Sequence, residues 1–179
     1  MRVSRYLADE VRSPARREYV GGHAYGMAGA SNAHNQIATN LLIALGVRLR
    51  GRQCRPFNSD TKVRVRLGSE TRFYYPDVSV TCRPNPPAET WQDEPILVAE
   101  VLSPQTRRID QGEKLLAYQR IPSLAVCVLL ETESPSVSVW RRTANGFVDE
   151  VNDGIGAVVA LPELGIELPL AEIYADLRG

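Results

Sequence analysis

Three ionisable residues, Asp77, Glu100 and Lys114, lie at positions where a charged side chain would either destabilise the fold or take part in chemistry. Asp77 follows a Tyr-Pro pair in a β-rich stretch, and Glu100 interrupts the otherwise apolar run 96–102. Lys114 lies on the next predicted helix, one turn after Asp110. Because a carboxylate among apolar residues is unfavourable unless it is paired or binds a metal, these positions are the first candidates for chemistry.

The chemistry that this set suits is phosphodiester hydrolysis. Two carboxylates that converge at neighbouring strand ends form a hard oxygen site for Mg²⁺ or Mn²⁺. Such an ion activates water and stabilises charge on a phosphate. A nearby ammonium group positions the water or neutralises the transition state. Asp77 and Glu100 are therefore the predicted metal ligands, and Lys114 is the predicted catalytic assistant.

Each of these residues also has a structural explanation. Asp77 could be a strand-end residue that accepts backbone N–H groups, and Glu100 could be the buried partner of an arginine. Asp110 and Lys114 are four residues apart, so they could form a surface ion pair worth a few tenths of a kcal/mol. Taken singly, these explanations are the commoner ones, but the joint order of the residues favours a metal site.

Hydrophobic periodicity predicts the elements that would carry these residues. Helices are predicted over 3–19, from Ser31 as an N-cap, and over 109–118. Strands are predicted over 23–28, 61–67, 74–82, 96–102 and 125–130, with a hairpin over 136–151 that turns at Asn145-Gly146. This order favours a single domain over 1–179, with an α/β (α+β) fold whose central mixed β-sheet is flanked by helices.

A basic face is predicted on the strand over 61–67, where Lys62, Arg64 and Arg66 alternate with apolar residues. A solvated face is the commoner explanation. If the chain is a nuclease, Lys62, Arg64 and also Arg107 are candidates for contacts with backbone phosphates. The formal net charge is zero, which argues against non-specific coating of nucleic acid but does not exclude an enzyme.

Composition indicates an ordinary globular protein, with 44% hydrophobic and 23% charged residues. No apolar run is long enough to span a bilayer, and no signal-peptide segment follows Met1, so a cytoplasmic protein without a membrane partner is expected. Three widely spaced cysteines argue against a disulfide framework or a zinc site, and buried thiols are expected. His34 is expected to have a structural role near a helix start, with phosphate contact as the alternative.

Short motifs spread along the chain are similar to those of the Uma2 family, also known as DUF820. In chain order they are EYV (18–20), MAGAS (27–31), HN (34–35), YPDVSV (75–80), EVLSP (100–104), DQGEK (110–114), Tyr118 and IPS (121–123). The resemblance covers nearly the whole chain, and the joint order and spacing of the motifs are more specific than any one of them.

This resemblance implies a PD-(D/E)xK, restriction-endonuclease-like fold, in which an Asp and a Glu bind the metal and a Lys assists. The usual lysine position, two residues after the Glu, is Leu102 here, so the family pattern assigns the role to Lys114 on the following helix. Glu18 corresponds to an N-terminal acid that often joins the metal site in this superfamily.

Three hypotheses follow. The first is a magnesium- or manganese-dependent endonuclease that hydrolyses DNA, in which Asp77 and Glu100 share one metal shell. The second is a catalytically inactive binding or assembly module with the same fold, suggested by the zero net charge and by Leu102. The third is a metal hydrolase for a small phosphate substrate, which would need a narrow pocket at Glu100. A homodimer is expected only by analogy with enzymes that cut two strands.

Overall fold

The structure, a computed structural model, describes residues 1–27, 29–104 and 106–177. The helices are α1 (Val3–Glu10), α2 (Asn32–Leu49), α3 (Arg107–Ile109), α4 (Leu115–Tyr118) and α5 (Leu170–Ile173), and a π-helical turn (Asp110–Lys114) joins α3 to α4. The strands are β1 (Arg17–Val20), β2 (His23–Gly26), β3 (Arg55–Asn58), β4 (Lys62–Leu67), β5 (Glu70–Tyr74), β6 (Val78–Thr81), β7 (Trp91–Gln92), β8 (Pro95–Leu102), β9 (Val126–Glu131), β10 (Ser136–Thr143), β11 (Gly146–Asp153), β12 (Val158–Leu161) and β13 (Ile166–Pro169). The predicted α/β (α+β) class, with mixed sheets and flanking helices, is confirmed.

The strands form a six-stranded sheet in the order β11-β10-β9-β8-β6-β3, a five-stranded sheet in the order β2-β1-β5-β4-β7, and the hairpin β12-β13. In the six-stranded sheet, β8 and β9 are parallel, and the helical segment 107–118 forms the crossover between them. The other neighbours in this sheet are antiparallel. Because the segment 107–118 follows β8 directly, the fold keeps Lys114 close to the end of the strand that carries Glu100.

Two apolar cores lie on opposite faces of the central strand β8. Leu97, Ala99 and Val101 pack into the core that contains α2, whereas Val98 and Leu102 pack into the core that contains α4. Side chains alternate between the two faces of a strand, so Glu100 faces the α4 core together with Val98 and Leu102. The strand predicted over 96–102 is therefore a central strand covered on both sides.

The N-terminal region differs from its prediction. The helix predicted over 3–19 is wrong beyond Glu10, because Arg17–Val20 pairs with His23–Gly26 as an antiparallel hairpin. Pro14 disfavours continuation of a helix, and Gly21 and Gly22 take the two positive φ angles, 56° and 82°, that a tight hairpin turn requires. This hairpin places Glu18 on a strand. Ala28, where the predicted strand was to end, lies outside the described residues.

The other predicted elements are present with shifted ends. Ser31 caps α2 as predicted, since its side chain accepts a hydrogen bond from the His34 amide. The strand predicted over 74–82 is shorter, because Tyr74 ends β5 and Pro76 lies in the connection before β6. The strands around β4, β8 and β9 and the hairpin β10-β11 are confirmed. In the part of the chain that the structure describes, no helix is long and apolar enough to cross a membrane.

The cysteine prediction is wrong for two of the three residues. Cys54 and Cys82 form a disulfide, and Cys127 is a buried free thiol whose pKa is raised by burial to about 12. The antiparallel register pairs Arg55 with Thr81, so the next positions outward, Cys54 and Cys82, are cross-strand neighbours. Sequence spacing could not reveal this proximity, because it depends on the pairing of β3 with β6.

Candidate active site

Asp77 lies directly before β6, next to the part of β8 that carries Glu100. The antiparallel register pairs Val78 with Ala99, and its continuation by one residue brings Asp77 opposite Glu100. Residues directly opposite each other in such a pair point to the same face, with Cβ atoms about 5 Å apart. The Asp77 side chain turns toward β8, since its Oδ2 accepts a hydrogen bond from the Val101 amide.

Lys114 lies among three carboxylates. Its Nζ atom is 2.8 Å from Glu18 Oε1, 3.4 Å from Asp110 Oδ1 and 3.7 Å from Glu100 Oε1. The alternative of an exposed ion pair between Asp110 and Lys114 does not hold, since the two residues are only 3% and 7% exposed. The three elements that meet here are β1, β8 and the π-helical turn.

Asp110 and Lys114 both face the interior from the π-helical turn. A π-turn has a wider i→i+5 geometry than an α-helix, and such turns occur frequently at functional sites. Within this turn Asp110 and Lys114 are buried, while Glu113 is exposed. The periodicity predicted one continuous helix here, and apolar spacing gives no signal for a local change of helical pitch.

Burial controls the protonation of this cluster. Burial raises the pKa of Glu100 well above its ordinary value, and the charges of Asp77, Asp110 and Glu18 add to the rise, while Lys114 opposes it. Burial alone would lower the pKa of Lys114, but the charges of Glu100, Glu18 and Asp110 outweigh it and the net shift is upward. Lys114 therefore keeps its charge, and its nearest carboxylate is that of Glu18, at 2.8 Å.

Two further residues hold the carboxylates in place. The Tyr118 hydroxyl donates a 2.7 Å hydrogen bond to Glu100 Oε1, and burial raises the pKa of Tyr118 well above its ordinary value. His34 Nε2 is 3.2 Å from Asp77 Oδ2, which also accepts a 2.7 Å hydrogen bond from the Val101 amide. The structure thus brings His34 and Tyr118 to the site, whereas the sequence predicted a structural role for His34 and assigned no site role to Tyr118.

The donor set fits a hard divalent cation in its chemistry. Three carboxylates, from Glu18, Glu100 and Asp110, surround one ammonium group, and Asp77 adds a further negative charge near Glu100. Asp110 Oδ1 accepts no hydrogen bond from the described residues. Such a buried acidic excess is unfavourable without a compensating cation. Within the described ranges, however, no group of three or more His, Cys, Asp or Glu side chains is arranged as a ready-made metal site. The fit therefore rests on charge and ligand type.

The residues predicted to contact nucleic acid are engaged elsewhere. Lys62 is only 4% exposed, and its Nζ lies 3.3 Å from the Tyr75 hydroxyl, so it does not contribute to a solvated basic face. Arg64 forms two hydrogen bonds of 2.6 and 2.7 Å with Asp93. Arg107 pairs in the same way with Glu131. In that predicted strand face, only Arg66 remains largely exposed, at 65% of its side chain.

The sequence as a whole matches one family model. Residues 3–171 match the model for Uma2, which is described as "Putative restriction endonuclease". The chain belongs to the Uma2 family. The match includes all four of the predicted site residues, Glu18, Asp77, Glu100 and Lys114.

Two proteins are similar to this chain in sequence, and one solved structure is similar to it in fold. The uncharacterized proteins slr1290 and sll1609 of Synechocystis sp. (strain ATCC 27184 / PCC 6803 / Kazusa) are 31% and 30% identical to it, over 96% and 80% of this chain and 90% and 81% of their own length. A crystal structure described as a putative nuclease belonging to DUF820, from Anabaena variabilis ATCC 29413, superposes with a TM-score of 0.72 at 18% identity. The superposition covers 94% of this chain and 97% of that one. At this identity the likeness concerns the fold.

Proposed function

We propose that this chain is a metal-dependent endonuclease that hydrolyses phosphodiester bonds in DNA. The observation that carries the proposal is that Asp77, directly before β6, lies near Glu100 of the neighbouring strand β8, beside a buried lysine. Membership of a family described as a putative restriction endonuclease supports the reaction class. A buried acidic group of this kind has little structural value by itself, since apolar residues would stabilise the same core at least as well.

In this proposal, Asp77 and Glu100 hold Mg²⁺ or Mn²⁺. When bound, the ion activates water for attack and stabilises the charge that develops on the phosphate. The Val101 amide and His34 fix the orientation of Asp77, and the Tyr118 hydroxyl fixes that of Glu100. Pre-oriented ligands of this kind lose little entropy when the reacting groups come together.

Lys114 supplies a fixed positive charge next to these ligands. Glu18 and Asp110 hold its ammonium group at 2.8 and 3.4 Å, so the charge stays on the α4 side of Glu100. A preorganised cation in a dry site stabilises a phosphate more than the same cation does in water, because little water must reorganise. Glu18 and Asp110 are therefore positioning residues for Lys114.

One observation favours the alternative of an inactive module with the same fold. The atom that lies among the three carboxylates is Lys114 Nζ itself, and the position of the usual lysine is occupied by Leu102, which is buried. A lysine that neutralises the acids permanently would make the cluster a purely structural ion network. The two functions differ in whether a divalent cation binds and whether DNA is cut.

The test is cleavage of supercoiled plasmid DNA with Mg²⁺, with Mn²⁺ and with EDTA. We expect metal-dependent nicking that is lost in Asp77→Asn, Glu100→Gln and Lys114→Met. Asp149→Asn is the matched control, because Asp149 is an exposed carboxylate on β11. Folded wild-type protein that cuts no DNA with either metal, or a Glu100→Gln variant as active as the wild type, would refute the proposal.

A further inference from the structure

Glu10, the last residue of α1, is a buried acid that lies outside the carboxylate cluster of the candidate site. Its Oε1 atom accepts hydrogen bonds from the Arg17 amide at 2.8 Å and from the Tyr75 hydroxyl at 2.9 Å. Its Oε2 atom accepts a hydrogen bond of 2.9 Å from Arg17 Nε. A buried carboxylate is unfavourable without such partners. Glu10 therefore holds together two segments that are far apart in the sequence.

The two partners of Glu10 lie next to residues of the candidate site. One of them directly precedes Glu18 on β1, and the other, Tyr75, lies two residues before Asp77. Pro76, between Tyr75 and Asp77, is buried, and its ring fixes its own φ angle, so the chain has little freedom between the two residues. Glu10 therefore joins the segment that carries Glu18 to the segment that carries Asp77.

Tyr75 also contacts the site through its backbone. Its N–H group donates a 3.3 Å hydrogen bond to Glu18 Oε1, the oxygen that lies 2.8 Å from Lys114 Nζ. Tyr19 packs in the aromatic cluster beside α1, so Glu18, its neighbour on β1, faces the opposite side of the sheet, where Lys114 lies. The side chain of Tyr75 thus reaches Glu10 on the α1 side, while its backbone holds Glu18 on the other.

Lys62 fixes the direction of the hydrogen bond between Tyr75 and Glu10. Lys62 is buried, and its Nζ atom lies 3.3 Å from the Tyr75 hydroxyl and 5.1 Å from the centre of the Tyr75 ring. An ammonium group only donates hydrogen bonds, so the Tyr75 oxygen accepts from Lys62 and its own hydrogen is directed to Glu10. Hydrogen bonds in such a series strengthen one another, which holds the Tyr75 ring in one orientation.

We propose that Glu10 is a positioning residue of the candidate active site. It acts through Tyr75 and sets the position of Asp77, a metal ligand, relative to Glu18, which holds Lys114. The inference rests on the proposed function, because this relative position affects a reaction rate only if the metal and Lys114 act on the same phosphate. A displacement of about 1 Å, caused far from the reacting groups, can lower a rate about 100-fold.

The test is the steady-state kinetics of plasmid nicking at saturating Mg²⁺, with each variant measured well below its unfolding midpoint. Tyr75→Phe and Glu10→Ala should each lower kcat about tenfold and leave the KM for DNA unchanged, as for other groups that orient a metal ligand. Glu10→Gln should lose less, because its amide oxygen still accepts from Tyr75. Tyr174→Phe is the matched control, since Tyr174 is also a buried, hydrogen-bonded tyrosine but lies in the core on the other face of β8.

Amide hydrogen exchange at residue 75 separates this inference from the proposed function. The amide should lose its protection in Tyr75→Phe and Glu10→Ala but keep it in Tyr174→Phe, because only the first two changes release the bond to Glu18.

Three outcomes decide the inference. Tyr75→Phe and Glu10→Ala variants that cut DNA with the kcat of the wild type would overturn it and leave the nuclease intact. Loss of the amide protection in Glu10→Ala, with no cleavage by the wild type under any condition, would uphold the positioning of Glu18 by Glu10 and refute the catalysis. Exchange in Glu10→Ala as slow as in the wild type would overturn the inference whether or not DNA is cut.

Discussion

At the scale of single residues, the site is defined by side chains whose charge the fold has buried. Glu100 and Lys114 could be found from the sequence, because one interrupts an apolar strand and the other follows on the next helix. His34 could not, because its contact with Asp77 depends on where the first turn of α2 meets the connection before β6. Tyr118 gave only an apolar signal, although its hydroxyl bonds Glu100.

His34 is predicted to tune metal affinity through Asp77. Loss of the imidazole in His34→Ala frees Asp77 Oδ2 from a contact of 3.2 Å, so Mn²⁺ affinity should fall about tenfold, as for other groups that orient a metal ligand. His23→Ala, at an exposed position on β2, is the matched control. Calorimetry that gives equal Mn²⁺ affinity for both variants would exclude this role.

The charged form of Glu100 is predicted to lower the free energy of unfolding of the metal-free protein. Burial raises its pKa, so the folded state disfavours the charged carboxylate, and the cost develops as pH rises through the ordinary glutamate range toward the raised value. Without metal, Glu100→Gln should therefore be more stable than the wild type at neutral pH, and the gain should vanish in acid. Urea denaturation at several pH values measures this, and a variant less stable at neutral pH would contradict it.

At the scale of elements, the π-helical turn and the β1-β2 hairpin decide the geometry of the site. The turn directs Asp110 and Lys114 inward, and the hairpin delivers Glu18 to them. The sequence indicated a helix over the first region and a plain helix over the second. Both predictions failed locally for the same reason. Apolar periodicity shows which face of a helix is buried, but it shows neither that the first helix ends at Glu10 nor that the second changes its helical pitch at Asp110–Lys114.

Gly112 lies in the middle of the π-helical turn, and its replacement by alanine tests whether the turn is strained. A Cβ at Gly112 would meet nothing within 4 Å, and Gly112 is not among the glycines with positive φ. Gly112→Ala should therefore raise the free energy of unfolding by about 0.5–1 kcal/mol through helix propensity. A destabilised variant in urea denaturation would mean that the turn requires glycine for another reason.

At the scale of the whole molecule, the sequence predicted the fold class and the strand of Glu100 correctly. It placed Asp77 in a strand, whereas the structure has Asp77 in the connection directly before β6, the neighbour of β8. It did not predict the pairing of the edge strand β3 with β6. It therefore also missed the disulfide between Cys54 and Cys82. Disulfides persist in oxidising compartments and are rare in the cytosol, so this pair does not favour the cytoplasmic expectation.

The disulfide can be tested by counting the free thiols of the protein. Unfolded, unreduced protein should expose one thiol, that of Cys127, and reduction should bring the number to three. Closing a loop of 28 residues is worth about 3–4 kcal/mol in the chain-entropy model, so reduction should also lower the unfolding midpoint. Three thiols before reduction would show that the bond does not form.

The central claim, that Asp77 and Glu100 hold a divalent cation, is tested most directly by calorimetric titration of Mn²⁺ into the wild type, Asp77→Ala and Glu100→Gln, each with and without an uncleavable DNA duplex. We predict binding to the wild type that both substitutions abolish while the circular dichroism of the folded chain is retained. Binding that survives both substitutions, or a wild type that takes up no Mn²⁺ even with the duplex present, would contradict the account.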